Sequence, residues 1–184
     1  TKHDVKAVEY FIKNKIKNNN LLNKYKEHIH ICCTSEDINN IAYSLMIKEG
    51  RDLLIYQANT LQRGIKSMGR KYKNIAMLSH THGQPASPTT MGKEFFNFYR
   101  RLDAQIHDLS NIEIKGKFNG ATGNYSAHSV TYPNVNWPNT MRKFVNSLKL
   151  EFNGHTTQIE PHDYIADLCH KINHINSILI GFSQ

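Results

Sequence analysis

Residues 91–109, MGKEFFNFYRRLDAQIHDL, decide the fold class: Met91, Phe95, Phe98, Leu102, Ile106 and Leu109 recur at spacings of 4, 3, 4, 4 and 3. An α-helix turns once in about 3.6 residues, so side chains at that spacing share one face. The stripe predicts a helix of about 24 residues with one buried side. Such a stripe is core far more often than functional surface. Ser87 and Pro88 stand just before it. They predict its N-cap and first turn.

The same rhythm extends in both directions. Val5, Val8, Phe11, Ile12 and Ile16 predict a helix over about 4–17, ended by Asn18-Asn19-Asn20. A second helix starts at Thr34 or Ser35, where Thr34 and Asp37 have capping-box spacing. Ile38, Ile41, Ala42, Leu45 and Met46, then Leu53, Leu54, Leu61, Ile65 and Met68, carry its stripe. A periodic segment of more than about 30 residues points to a bundle of long helices. After Pro138, Met141, Phe144, Val145 and Leu148 predict a short helix. From near Pro161, Ile165, Leu168, Ile172, Ile175 and Leu179 predict a last one that is still apolar at Phe182. Between these lie a connection at 74–87, a glycine-marked stretch at Gly116, Gly120 and Gly123, and a loop at 152–160. No strand alternation persists beyond a few residues, and no repeat recurs. The fold expected is all-α, a long-helix bundle.

Composition narrows the function classes. The chain has 184 residues, 39% of them apolar, and a formal net charge of +8. Its Lys and Arg are spread along the chain, with no basic cluster or aromatic RNA-binding string, which argues against nucleic acid. An anionic small substrate or simple solubility remains as a reason for the charge. The three cysteines, Cys32, Cys33 and Cys169, are odd in number and two are adjacent. That argues against a disulfide framework and for a reducing, cytoplasmic setting. No apolar stretch approaches the ~18–20 residues of a membrane span. Thr1-Lys2-His3-Asp4 is not a signal peptide, and without an initiator Met the chain is expected to begin inside a longer product.

The reactive side chains gather where helices meet. In His3-Asp4, a carboxylate could orient an imidazole, but the plainer reading of the dipeptide is Asp4 as a helix cap. Thr34-Ser35-Glu36-Asp37 opens a helix, where hydroxyls and backbone N–H groups suit an anion; an ordinary capping box explains it equally. Ser79-His80-Thr81-His82-Gly83-Gln84-Pro85 packs two imidazoles, two hydroxyls and an amide into a loop. His82 there could give a proton to a leaving nitrogen, against the alternative of a polar surface loop. Thr156-Thr157-Gln158-Ile159-Glu160-Pro161-His162-Asp163 offers Gln158 to a carboxylate or ring amide, though Pro161 and Asp163 are also plain helix-start residues. His28, His30, Cys32 and Cys33 resemble a metal cluster without zinc-ligand spacing. His170 and His174 are four apart but lack the companions of a metal helix, so no metal is expected. No dinucleotide or phosphate-loop glycine pattern is present.

Taken together, the strings resemble the fumarase/aspartase superfamily and, within it, the adenylosuccinate lyase family. The likeness runs in order from Thr1-Lys2-His3-Asp4-Val5 through Thr34-Ser35-Glu36-Asp37-Ile38-Asn39, Thr81-His82-Gly83-Gln84-Pro85 and Gly92-Lys93-Glu94. It continues through Gly116-Lys117-Phe118-Asn119-Gly120-Ala121 and Gly123-Asn124-Tyr125 to the string from Thr156 to Tyr164. The resemblance implies the central helical domain of the superfamily fold, with residues 1–25 as the tail of an N-terminal domain and 26–184 as the front part of the bundle. It implies a homotetramer whose active sites draw on three subunits and need no cofactor. The implied reaction is β-elimination of fumarate from adenylosuccinate, giving AMP, and from SAICAR, giving AICAR. His82 would be the general acid, Thr81 would hold the succinyl part, and Thr34 and Ser35 would bind the same dicarboxylate end. Lys2, His3 and Asp4 match a segment near the phosphate and leaving group, and Gln158 a further substrate contact.

The sequence also departs from the family. The serine base in an S-S-x-M-P-x-K-x-N loop is absent from these residues, as is an early substrate-binding Arg and Tyr. His80 stands where some relatives have Arg. Another fumarate-releasing lyase, such as one acting on argininosuccinate, and a non-catalytic helical assembly module are the competing expectations.

Overall fold

The computed structural model describes residues 2–184, and Thr1 lies outside the described residues. Six helices dominate it, and the all-α class read from periodicity is what the chain adopts. The residues divide into two compact units, Thr1–Ile47 with Glu113–His162, and Lys48–Ile112 with Asp163–Gln184. Helix α2, Ser35–Lys71, contributes its first turns to one and its remainder to the other.

In the first unit, α1 spans Asp4–Ile16, and a 3-10 helix follows over Leu22–His28. The N-cap of α1 is His3, not Asp4: the His3 backbone is extended and its ring accepts the Lys6 amide. Asp4 is already helical and accepts the Val5 amide at 2.7 Å. Two-residue strands β3, Lys115–Gly116, and β4, Glu151–Phe152, pair in parallel beneath α2. Ser44 Oγ on α2 donates to the Lys115 carbonyl at 2.6 Å. Short helices α4, Ser126–Thr131, and α5, Trp137–Ser147, complete the unit. Asn136 caps α5 through the Asn139 amide, with Pro138 in the first turn. Of the stripe expected there, Val145 is fully buried, Met141 and Leu148 are half-buried, and Phe144 is exposed, set edge-on to Phe118.

In the second unit, α3, Met91–Ser110, packs on α6, Asp163–Ser183. Leu102, Ile106 and Leu109 of α3 and Leu168, Ile175 and Ile178 of α6 are buried. Phe182 meets Phe95 and Phe98 with ring centroids 6.1 and 5.2 Å apart. Polar ties reinforce the packing. Lys171 pairs with Asp108 at 2.7 Å, and Gln62 Nε2 donates to Asp103 at 2.6 Å.

The connection expected at 74–87 is a β-hairpin instead. Strands β1, Ala76–Thr81, and β2, Gln84–Thr90, pair antiparallel from Ala76↔Thr90 to Thr81↔Gln84, with an irregularity between Leu78 and His80. Alternation missed it because both strands are largely exposed and carry Pro85 and Pro88, so burial leaves no period-two signature. The hairpin runs on to Thr90, which caps α3 by accepting the Lys93 amide; Ser87 and Pro88 therefore lie in β2 rather than at the helix start.

Candidate active site

The first unit brings four of the singled-out side chains together at the start of α2. His3 Nδ1 accepts the Lys6 amide at 3.3 Å, which in a neutral ring leaves the proton on Nε2. Nε2 lies 3.3 Å from Ser35 Oγ and, in that tautomer, donates to it. Gln158 Nε2 donates to Thr34 Oγ1 at 3.2 Å across 124 residues of sequence. Asp4 Oδ1 stands 3.5 Å from His3 Nδ1, and both side chains are largely open to solvent. Lys2 is exposed beside them in sequence.

Only half of the capping box expected at Thr34 forms. The Thr34 amide donates to Asp37 Oδ2 at 3.0 Å, but the Asp37 amide bonds the Thr34 carbonyl, and the Thr34 hydroxyl faces Gln158. With the Asp37 amide on the Thr34 carbonyl, the hydroxyl is turned to another chain segment.

Beneath this corner lies a buried polar cluster. Asp37 and Lys117 are both fully buried and pair at 2.8 Å. Asp37 also accepts from the amides of Asn119 and Gly120 at 3.2 Å, and Lys117 Nζ donates to the Gly120 carbonyl at 3.0 Å. Asn40 spans the Lys117 backbone, accepting its amide at 2.8 Å and donating to its carbonyl at 3.0 Å. The surroundings are dry. Burial, and then the Asp37 charge, pushes the Cys33 thiol up to about 12 and the Tyr125 phenol likewise to about 12. Burial pushes the His128 ring down, so it is neutral near pH 7, with its edge toward Trp137 at 4.9 Å between centroids.

The segment carrying Gln158 is held at both ends. Asn119 Nδ2 donates to Thr156 Oγ1 at 2.9 Å. Glu160, buried, accepts from Asn153 Nδ2 at 2.9 Å and from the His162 amide at 2.6 Å. Gly123, at φ +77°, lies so close to Thr156 that a Cβ would strike the Thr156 carbonyl. Only glycine adopts that backbone and that approach without strain.

Thr81 and His82 belong to the second unit. His82 (φ 51°) and Gly83 (φ 72°) are the two central residues of the hairpin turn between β1 and β2. Two consecutive positive φ values define the tight turn that matches strand twist. Gly83 adopts this freely. His82 does so at a cost of order 1 kcal/mol. The side chains of His80, Thr81 and His82 are exposed.

Sequence reading passed over Lys117, Asn119, His128 and Glu160 as chemistry. A lysine or asparagine beside glycines reads as loop surface, and only the three-dimensional partners show burial. Among the described residues no group of three His, Cys, Asp or Glu is placed to hold a metal ion. No helix there is long and apolar enough to cross a membrane.

An adenylosuccinate lyase of Buchnera aphidicola subsp. Schizaphis graminum is 52% identical over 185 aligned residues, covering 100% of this chain and 41% of that protein. Those of Escherichia coli K12 and Haemophilus influenzae are each 49% identical with the same coverage. The chain thus spans about two-fifths of the length of these relatives. A solved fumarate lyase from Mesorhizobium sp. BNC1 superposes with a TM-score of 0.73 at 20% identity, over 84% of this chain and 36% of that one. The 3-carboxy-cis,cis-muconate lactonizing enzyme from Pseudomonas putida gives 0.77 at 18%, over 97% and 38%. At such identities the likeness is one of fold. The family model described as lyase matches residues 1–184, and the chain belongs to that lyase family.

Proposed function

We propose that this chain is the central helical part of an adenylosuccinate lyase, which eliminates fumarate from adenylosuccinate to leave AMP, and from SAICAR to leave AICAR. One observation carries the reading. About half of all positions, along the entire chain, match proteins of that name. Residues 1–25 then close a preceding domain and residues 26–184 open the central bundle.

In the elimination, a base removes a proton from the carbon next to a succinyl carboxylate. The electron pair left behind forms the carbon–carbon double bond, and the carbon–nitrogen bond breaks. The departing nitrogen takes its proton from His82. Thr34 and Ser35 hold the dicarboxylate end with Thr81, and Gln158 adds an amide donor. Lys2, His3 and Asp4 face the phosphate and leaving-group side. A net charge of +8 favours the approach of a ligand bearing two carboxylates and a phosphate. The base would be the family's serine, whose loop string is not among these residues. By themselves they are expected to release no fumarate.

Assembly fits the exposed apolar side chains. On α2, Leu53, Leu54, Tyr56, Leu61 and Met68 face solvent at 39–63% exposure. Burying such a face against other subunits is the ordinary remedy, and a homotetramer with shared sites does so while supplying walls to the His82 turn. The three cysteines are free. The test is absorbance-monitored turnover of adenylosuccinate by the full-length enzyme, with argininosuccinate as control. Fumarate release from the first and none from the second is expected. The reverse would sink the assignment.

A further inference from the structure

We propose that Asp37, Lys117, Asn119 and Thr156 form a positioning ring that sets Thr34 and Gln158 for the dicarboxylate end of the substrate. The inference rests on the reading of those two residues as substrate-binding.

The bonds close on themselves. The Thr34 amide donates to Asp37 Oδ2 at 3.0 Å. The Asn119 amide donates to Asp37 Oδ1 at 3.2 Å, and the Asn119 side chain reaches Thr156 Oγ1 at 2.9 Å. Two residues beyond Thr156, Gln158 returns to the Thr34 hydroxyl at 3.2 Å. The ring thus starts and ends at Thr34 and crosses three segments of the first unit that are remote in sequence. Asp37, Asn119 and Lys117 are fully buried, so a partner lost there is not readily replaced by water, whereas Thr156 is half-buried and Gln158 meets Thr34 at the surface.

Lys117 supports the ring through its pair with Asp37. An unpaired carboxylate in the first turn of α2 would oppose binding of an anion at that helix start. The ammonium 2.8 Å away offsets the Asp37 charge and leaves Glu36 as the other carboxylate of that turn. Buried ion pairs are rarely retained for stability, since an apolar pair of similar volume is often as good. Placement of the binding groups is a reason for this one.

The experiment uses the full-length enzyme and adenylosuccinate. Thr156→Val keeps the shape and deletes the hydroxyl; it should raise KM about 5-fold, as loss of one hydrogen bond does, with kcat within about two-fold. Thr156→Ser should restore KM. Asn119→Ser, which shortens the other end of the same bond, should copy the valine variant and serves if that variant does not fold. Gln158→Ala should raise KM by itself, and the double variant Gln158→Ala/Thr156→Val should be no worse, because Thr156 acts through Gln158. Wild-type KM in both Thr156→Val and Asn119→Ser, or KM effects that multiply in the double variant, would overturn the ring and leave the substrate assignment standing. Unchanged KM in Gln158→Ala, or no turnover by the wild type, would overturn the substrate reading and the ring with it.

Discussion

The Thr34–Gln158 corner and the His82 turn carry similar polar side chains but are held in opposite ways. At the corner, hydroxyl and amide rest on a buried ion pair, asparagine side chains and an anchored glutamate. At the turn, the imidazole sits on an exposed two-residue bend and is shaped by the backbone alone. Groups that bind a ligand gain from a rigid, dry support, because every ångström of play dilutes the contact. A group that moves a proton must instead be reached and then enclosed. In an exposed turn, enclosure has to come from elsewhere, which is what a shared active site would supply.

Four measurements break or sharpen that contrast. His82→Ala in the full-length enzyme should lower kcat about 10^3-fold, the range of a general acid, without disturbing assembly on size-exclusion chromatography. Wild-type kcat would show that the turn carries no chemistry. Lys117→Met should cost about 3–5 kcal/mol in urea unfolding, because it strands Asp37 as a buried charge. A loss under about 1 kcal/mol would mean that the corner is wetter than its burial indicates. Gly83→Ala should cost only about 1 kcal/mol, since alanine at φ 72° is strained but meets no neighbour. Faster amide exchange confined to residues 76–90 would report it, and loss of the whole second unit would show that the hairpin is structural rather than appended.

The smallest effect is chemical. Burial, with the Asp37 charge, pushes the thiol of half-buried Cys33 up to about 12, so it is almost wholly protonated at pH 8 and native-state alkylation should be slower than in urea. Equal rates would refute the dryness of the corner. The linkage has a definite sign. The folded-state value is raised, so this contribution to stability is complete below the unfolded thiol's value near 9. It declines as pH rises from there to about 12.

Long helices were legible because burial of one face imposes a 3.6-residue rhythm on the sequence itself. Met91 to Leu109 announced α3, and a capping residue near Thr34 announced α2, both within a turn of where they begin. The hairpin was illegible for the matching reason. Its strands are largely exposed, so no alternation was imposed. The candidate site divides along the same line. His3, Thr34, Ser35, His82 and Gln158 could be named from residue type and motif. That His3 meets Ser35 and Gln158 meets Thr34 could not.

What the linear chain determines by itself is therefore the helical class, the helix starts near Thr34 and Pro138, and the inventory of groups able to bind anions or move protons. These are local properties, written in spacing and side-chain chemistry. Tertiary structure alone decides that the Asp37 carboxylate, besides accepting the Thr34 amide, takes Lys117, Asn119 and Gly120 as partners, and that the Thr34 hydroxyl faces Gln158. Those partners lie about eighty residues or more away in sequence, and a hydrogen bond depends on distance in space, which no local pattern encodes.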